Sequence, residues 1–272
     1  MRCLSTALPT KEPVVPEPRR IGARGIEDVF RHFLTTGMAL VALLVILLCG
    51  SVFAADPETA RFRYSLTKTE LHRTPRFLLE ISEVPDRAKS KKWGESAKEL
   101  CEEWFPVYCK FLSTEGWTPP DVVRIVIKTD LKVPGSTSGS TISISDSWIT
   151  KRPEDFGMVM HELVHVVQHY PNSHKNAGWL IEGIADYLRY WKYESERPKR
   201  KIGENASYRD GYSTAASFLA WIVWKYDRRT VRRLDAALRA GKYDDAIFHK
   251  ITGKDLPELW DEFVKYEHKH AT

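Results

Sequence analysis

The sequence predicts an α+β domain, and three observations carry that prediction. Apolar runs of strand length fall between residues 75 and 145, and apolar residues at helical spacing dominate from 153 onward. Between them, Thr141-Ile142-Ser143-Ile144-Ser145 alternates strictly, the pattern of a half-exposed strand. Strands early and helices late imply a small, mostly antiparallel sheet covering a helical half. With 272 residues, 43% hydrophobic and 11% aromatic, the chain can bury a sizeable core within one domain.

Residues 1–55 read as a leader and not as part of the fold. They open with a region containing Arg19, Arg20, Arg24 and Arg31, continue through an uncharged run from Met38 to Leu48, and end in Val52-Phe53-Ala54-Ala55. The apolar run is short for a span of about 20 residues, so a cleaved signal peptide is the first reading and an uncleaved N-terminal anchor the alternative. Either way the chain leaves the cytoplasm, and residues 56–272 form the working domain. Without the leader's six basic and four acidic residues, the formal +5 falls to about +3, which does not imply a nucleic-acid partner. The basic stretch 197–201 and the arginines 228, 229, 232 and 233 read as solvated faces.

In the domain, 75–82 (PRFLLEIS) reads as a strand closed by Pro85-Asp86. Residues 96–112 place Ala97, Leu100, Trp104, Val107 and Phe111 at helical spacing, with a kink or break expected at Pro106. Residues 122–127 (VVRIVI) read as a buried strand, 135–139 (GSTSG) as a flexible turn, and 141–145 as a strand that fits a sheet edge or an ordinary interior position. Helices are predicted over 154–170, 179–193, 213–226, 230–240 and 256–267. Cys101 and Cys109, the two cysteines beyond the leader, lie eight residues apart. On one straight helix that is about 12 Å, beyond the ~7 Å that a disulfide bridges, so free thiols are expected, with a bridge across a bend at Pro106 as the alternative.

The chemistry concentrates at His161-Glu162-Leu163-Val164-His165. On a helix, residues i and i+4 share a face, so two imidazoles can hold one ion while Glu162 stands beside the open position as a general base. Met158, Val159, Met160, Leu163, Val164, Val166 and Val167 make the rest of that helix apolar. The ordinary alternative, two core histidines bonded to carbonyls, would bury three polar side chains at considerable cost.

A catalytic metal site needs a third protein ligand. His169 lies about 12 Å along the axis from His161, too far to share an ion, and reads as a helix-end residue. His174 stays open. Glu182 is the better candidate, set among Leu180, Ile181, Ile184 and Ala185, with Asp186 on its face four residues later. That Glu-x-x-x-Asp spacing resembles the element of the gluzincin metallopeptidases in which the Glu binds zinc and the Asp orients the first histidine.

Several blocks together resemble the basic secretory protein family of plants and bacteria. They are Thr137-Ser138-Gly139 with Ile142 and Ser145, HELVHVVQ at 161–168, LIEGIADY at 180–187, Gly211-Tyr212 with Ala216, Phe218 and Leu219, and Thr252-Gly253-Lys254 with Leu259-Trp260. The sequence departs from the pattern at Trp179, at Ala215 and in the basic stretch 197–201. The resemblance implies a zincin-like fold, a Zn2+ cofactor on His161, His165 and Glu182, Asp186 behind His161, and Glu162 as catalytic base and acid. It also implies an edge strand above the metal helix that pairs with an extended peptide, a role that Thr141, Ser143 and Ser145 would fill. Tyr212, at a helix start, is a candidate oxyanion donor or a packing residue. The expected function is a secreted zinc metallopeptidase acting on peptide or protein substrates. A non-catalytic zinc-binding protein and a zinc amidase acting on a cell-wall or other non-peptide amide are the alternatives.

Overall fold

The structure is a computed structural model that describes residues 73–171, 176–196, 201–203 and 205–270. The leader 1–55, His174 and residues 197–200 lie outside the described residues.

Among the described residues the first element is β1 (Arg76–Ile81); the chain then crosses through α1 (Arg87–Phe111) and returns as β2 (Val122–Lys128). A 25-residue helix between two strands imposes a parallel pairing, and β1 and β2 run parallel from Arg76 opposite Val122 to Ile81 opposite Ile127. Then come β3 (Gly135–Ser138) and β4 (Thr141–Ser145), an antiparallel hairpin turned by Gly139 at φ 57°. β4 also pairs in parallel with β2, giving the order β1-β2-β4-β3.

The sheet is therefore mixed, with two parallel pairs and one antiparallel pair, and not mostly antiparallel. The reason is topological: β4 comes back beside β2 only after β3 has taken the outer position. Two further readings change with it. Residues 135–138 are a strand, although Gly, Ser and Thr give them no apolar alternation, because the backbone of β4 pairs with them. And β4 is interior: Thr141, Ser143 and Ser145 sit between β2 and β3, so their backbone is not free to pair with a substrate. The edge on that side is β3.

Helix α1 runs unbroken through Pro106, and the free thiols of Cys101 and Cys109 are buried on it. After the short α2 (Asp146–Lys151), α3 (Phe156–Gln168) is buried along nearly its whole length, as its apolar sequence requires. Asp155 caps it, accepting from Met158 N, and the chain turns out of it at His169, which has φ 26°. α4 (Gly178–Leu188) packs beside it and continues as a π-helical turn, Arg189–Tyr193. From that turn Arg189 donates to Asp155 (2.7 Å) and to Glu194 (3.1 Å), tying the start of α3 to the end of α4.

The remaining helices are α5 (Tyr212–Lys225), α6 (Thr230–Arg239), α7 (Ala246–Thr252) and α8 (Leu256–His270). Phe218, Leu219, Trp221, Leu259 and Phe263 are buried, and Trp260 meets Phe218 edge-on at 5.2 Å. They form the core of the helical half. Helices α4 and α5 approach closely because Gly183 faces Ala215: a Cβ at 183 would lie 2.7 Å from the Ala215 Cβ. Trp179 packs against Tyr208 and Phe248, inside this core.

Candidate active site

The site lies where α3, α4, the start of α5 and the edge strand β3 meet. One turn of α3 separates His161 and His165, and their Nε2 atoms stand 3.1 Å apart. From α4, Glu182 Oε2 approaches to 3.1 Å from His161 Nε2 and 3.4 Å from His165 Nε2. Among the described residues this is the one group of three His, Cys, Asp or Glu side chains able to share an ion. The side chain of Glu182 is 31% exposed and those of His161 and His165 9% and 17%, so the cluster opens to solvent on the Glu182 side.

The outer nitrogens of the two rings are already committed. His161 Nδ1 donates to Asp186 Oδ1 at 2.7 Å, and His165 Nδ1 donates to Gln168 Oε1 at 2.7 Å. When neutral, each ring so bonded turns a bare Nε2 lone pair inward. Two such nitrogens and a carboxylate oxygen have no proton among them to share, so their convergence calls for positive charge. His161 responds accordingly: burial pulls its pKa down, but the bonds to Asp186 and Glu182 outweigh it and hold the ring up to about 9. Burial pushes Glu182 up, and its bonds with His161 and His165 overcome that and bring it down to about 2. The donor separations also match a divalent ion of zinc size, since bonds of about 2.0–2.1 Å in a tetrahedron give ligand spacings of about 3.3–3.4 Å. The residues present therefore fit the metal implied by the sequence.

Glu162 projects toward the sheet. Thr137 Oγ1, on β3, contacts both its carboxylate Oε2 (2.7 Å) and its carbonyl (3.0 Å). Gly135 lets β3 come this near, because a Cβ there would lie 2.6 Å from Met158 Sδ and 3.0 Å from Glu162 Cγ. Tyr212 sits 57% exposed on the open side, its ring 6.1 Å from that of His161 and nearly parallel to it. It has φ 45° and follows Gly211 at φ 73°, two left-handed residues in succession that turn the chain into α5. The negative charge of Glu182, then partial burial, raises its pKa, so its phenol stays protonated and able to donate.

His161, Glu162, His165, Glu182, Asp186 and Tyr212 are thus brought together, whereas Thr141, Ser143 and Ser145 are not at an edge. Two contributors were not assigned a role from the sequence. Thr137 appeared there as part of a family block, and Gln168 as the last letter of HELVHVVQ. The signal for Gln168 was available, since a polar residue three positions after His165 lies on the same helical face.

A comparison with curated proteins gives no match. The family model described as a peptidase of plants and bacteria matches residues 111–263, more than half of the chain and every residue of the site. The chain belongs to this family of peptidases, the basic secretory protein family.

Proposed function

We propose that this protein is a secreted, zinc-dependent metallopeptidase with a zincin-like fold and a gluzincin type of site, in which His161, His165 and Glu182 hold the metal. One observation carries the reading: three acceptor atoms on two helices converge within 3.1–3.4 Å of one another while both ring Nδ1 atoms are bonded outward. Zinc bound there would supply Lewis acidity, polarising a peptide carbonyl and making water nucleophilic near neutral pH.

The chain's own residues do the remainder. Glu162 takes the water proton on its carboxylate and delivers it to the departing amine nitrogen. Thr137, bonded to Oε2, leaves Oε1 for that transfer. Tyr212 donates its phenolic hydrogen to the oxygen that gains charge as the carbonyl is attacked. Strand β3, the end of the sheet order on the side of α3, offers its backbone to an extended peptide and takes the substrate role first expected of β4. Secretion is supported by the family's name and by the leader-like 1–55. Among the described residues no helix is long and apolar enough to cross a membrane.

The test is to incubate the zinc-loaded protein with a diverse peptide library and read the products by mass spectrometry beside Glu162→Gln. Cleavage by the wild type and none by the variant, with zinc bound in both, is the expected result. Full zinc occupancy without any cleavage would overturn the peptidase reading in favour of a binding role or a different amide substrate.

A further inference from the structure

Gln168 ends α3 and is 2% exposed. Its amide nitrogen donates to the Ile181 carbonyl at 3.0 Å, and the phenol of Tyr170 stands beside it. The amide oxygen is therefore the atom that faces His165 Nδ1, at 2.7 Å, and it can only accept. The proton of a neutral His165 is thereby confined to Nδ1 and its lone pair to Nε2.

Tyr170 follows the left-handed turn at His169, where the chain leaves α3. Its hydroxyl donates to Asp235 Oδ1 at 2.8 Å, on α6. Asp235 is fully buried and immobilised by the Ser113 amide at 2.7 Å and by Arg239, which also donates to the Val167 carbonyl. A part-buried polar chain thus runs from His165 through Gln168 and Tyr170 to Asp235. Its branch to Ile181 grips the residue next to Glu182.

We propose that Gln168, oriented by Tyr170 and Asp235, is the positioning residue for His165, fixing its tautomer and its register against the Glu182 helix and so setting the metal affinity of the site. This rests on the zinc reading above. Gln168 is buried and is not one of the three ligands, and it acts through His165. The arrangement mirrors what Asp186 does for His161, with a neutral amide in place of a carboxylate. One outward partner carries negative charge and the other does not, so the three-ligand set gains no second buried anion.

The experiment compares zinc affinity, by competition with a chelating dye, for the wild type, Gln168→Met, Gln168→Glu and Tyr170→Phe, with a thermal unfolding midpoint for each. Both Gln168 variants break the bond to Ile181 and should unfold earlier. Only Gln168→Met also loses the acceptor for His165 Nδ1, and its zinc affinity should fall about 10- to 100-fold, while Gln168→Glu stays near wild type. Tyr170→Phe should show a smaller loss. Equal loss in the Met and Glu variants, tracking the unfolding midpoints, would reduce Gln168 to a packing role, and unchanged affinity in Gln168→Met would end the proposal. The His165 tautomer, read by long-range nitrogen–proton NMR correlations, separates this from the zinc reading. A wild type that binds no zinc yet holds His165 in the Nδ1–H form, with mixed tautomers in Gln168→Met, would overturn the metal assignment and keep the positioning role. Mixed tautomers in the wild type would overturn the positioning role itself.

Discussion

The hydroxyl of Thr137, on the outer strand of the sheet, lies 2.7 Å from the carboxylate of Glu162 on α3. A hydrogen bond to a charged group contributes about 1.5–3 kcal/mol, so if Glu162 is the base proposed above, losing the bond that aims it should cost about 10- to 100-fold in kcat. Thr137→Val is expected to lose that much peptide cleavage while binding zinc normally, and Thr137→Ser should restore most of it. Steady-state kinetics with a cleaved peptide decides this, and a Val variant at full kcat would remove Thr137 from the mechanism.

Glu182 brings the third acceptor to the histidine pair from a different helix. Glu182→Ala should abolish tight zinc binding, measured by equilibrium dialysis with metal analysis, whereas Asp186→Asn should weaken it about 10- to 100-fold by loosening His161. Normal occupancy in Glu182→Ala would refute the ligand assignment.

Gly183 allows α4 to lie against α5. A methyl group at 183 would meet the Ala215 Cβ at 2.7 Å, so one of the helices must shift. Overpacking of this kind costs about 1–3 kcal/mol, more than the ~1 kcal/mol of helix propensity gained over glycine. Gly183→Ala is expected to lower the Tm and Gly183→Val to lower it further. A rise in Tm for the Ala variant would show that the helices yield without cost.

Glu262 on α8 accepts from Lys254, Tyr226 and Lys225, and those bonds, Lys254 first and Tyr226 next, hold its pKa down to about 2. A carboxylate depressed on folding contributes stability that is present above its unfolded value near 4.5 and lost as pH falls toward 2. The Tm gap between wild type and Glu262→Gln should therefore be clear at about pH 6 and shrink at about pH 3. A gap independent of pH would show that the carboxylate charge is not what matters there.

Much of this protein follows from local pattern. His161, Glu162 and His165 come from a four-residue spacing that any helix turns into one face, and the apolar residues around them made that helix a buried one. Glu182 and Asp186 were legible for the same reason, as acidic residues in an apolar helix at i and i+4. Strands β1 and β2 were legible from their apolar runs. These features depend on neighbours within a turn or two of the chain.

What only the tertiary structure decided depends on partners far along the chain. The sheet became mixed because the crossover through α1 and the return of β4 beside β2 set the strand directions, and no single strand records its neighbours. The sheet edge lies not at the apolar-alternating Thr141–Ser145 but at Gly135–Ser138, whose small polar residues look like a turn until the backbone of β4 supplies the pairing. Thr137 reaches Glu162 across 25 positions and Tyr170 reaches Asp235 across 65. Hydrogen bonds at such separations form only after packing has met the entropy cost of closing the chain between them, so nothing in the local sequence of either partner announces the other.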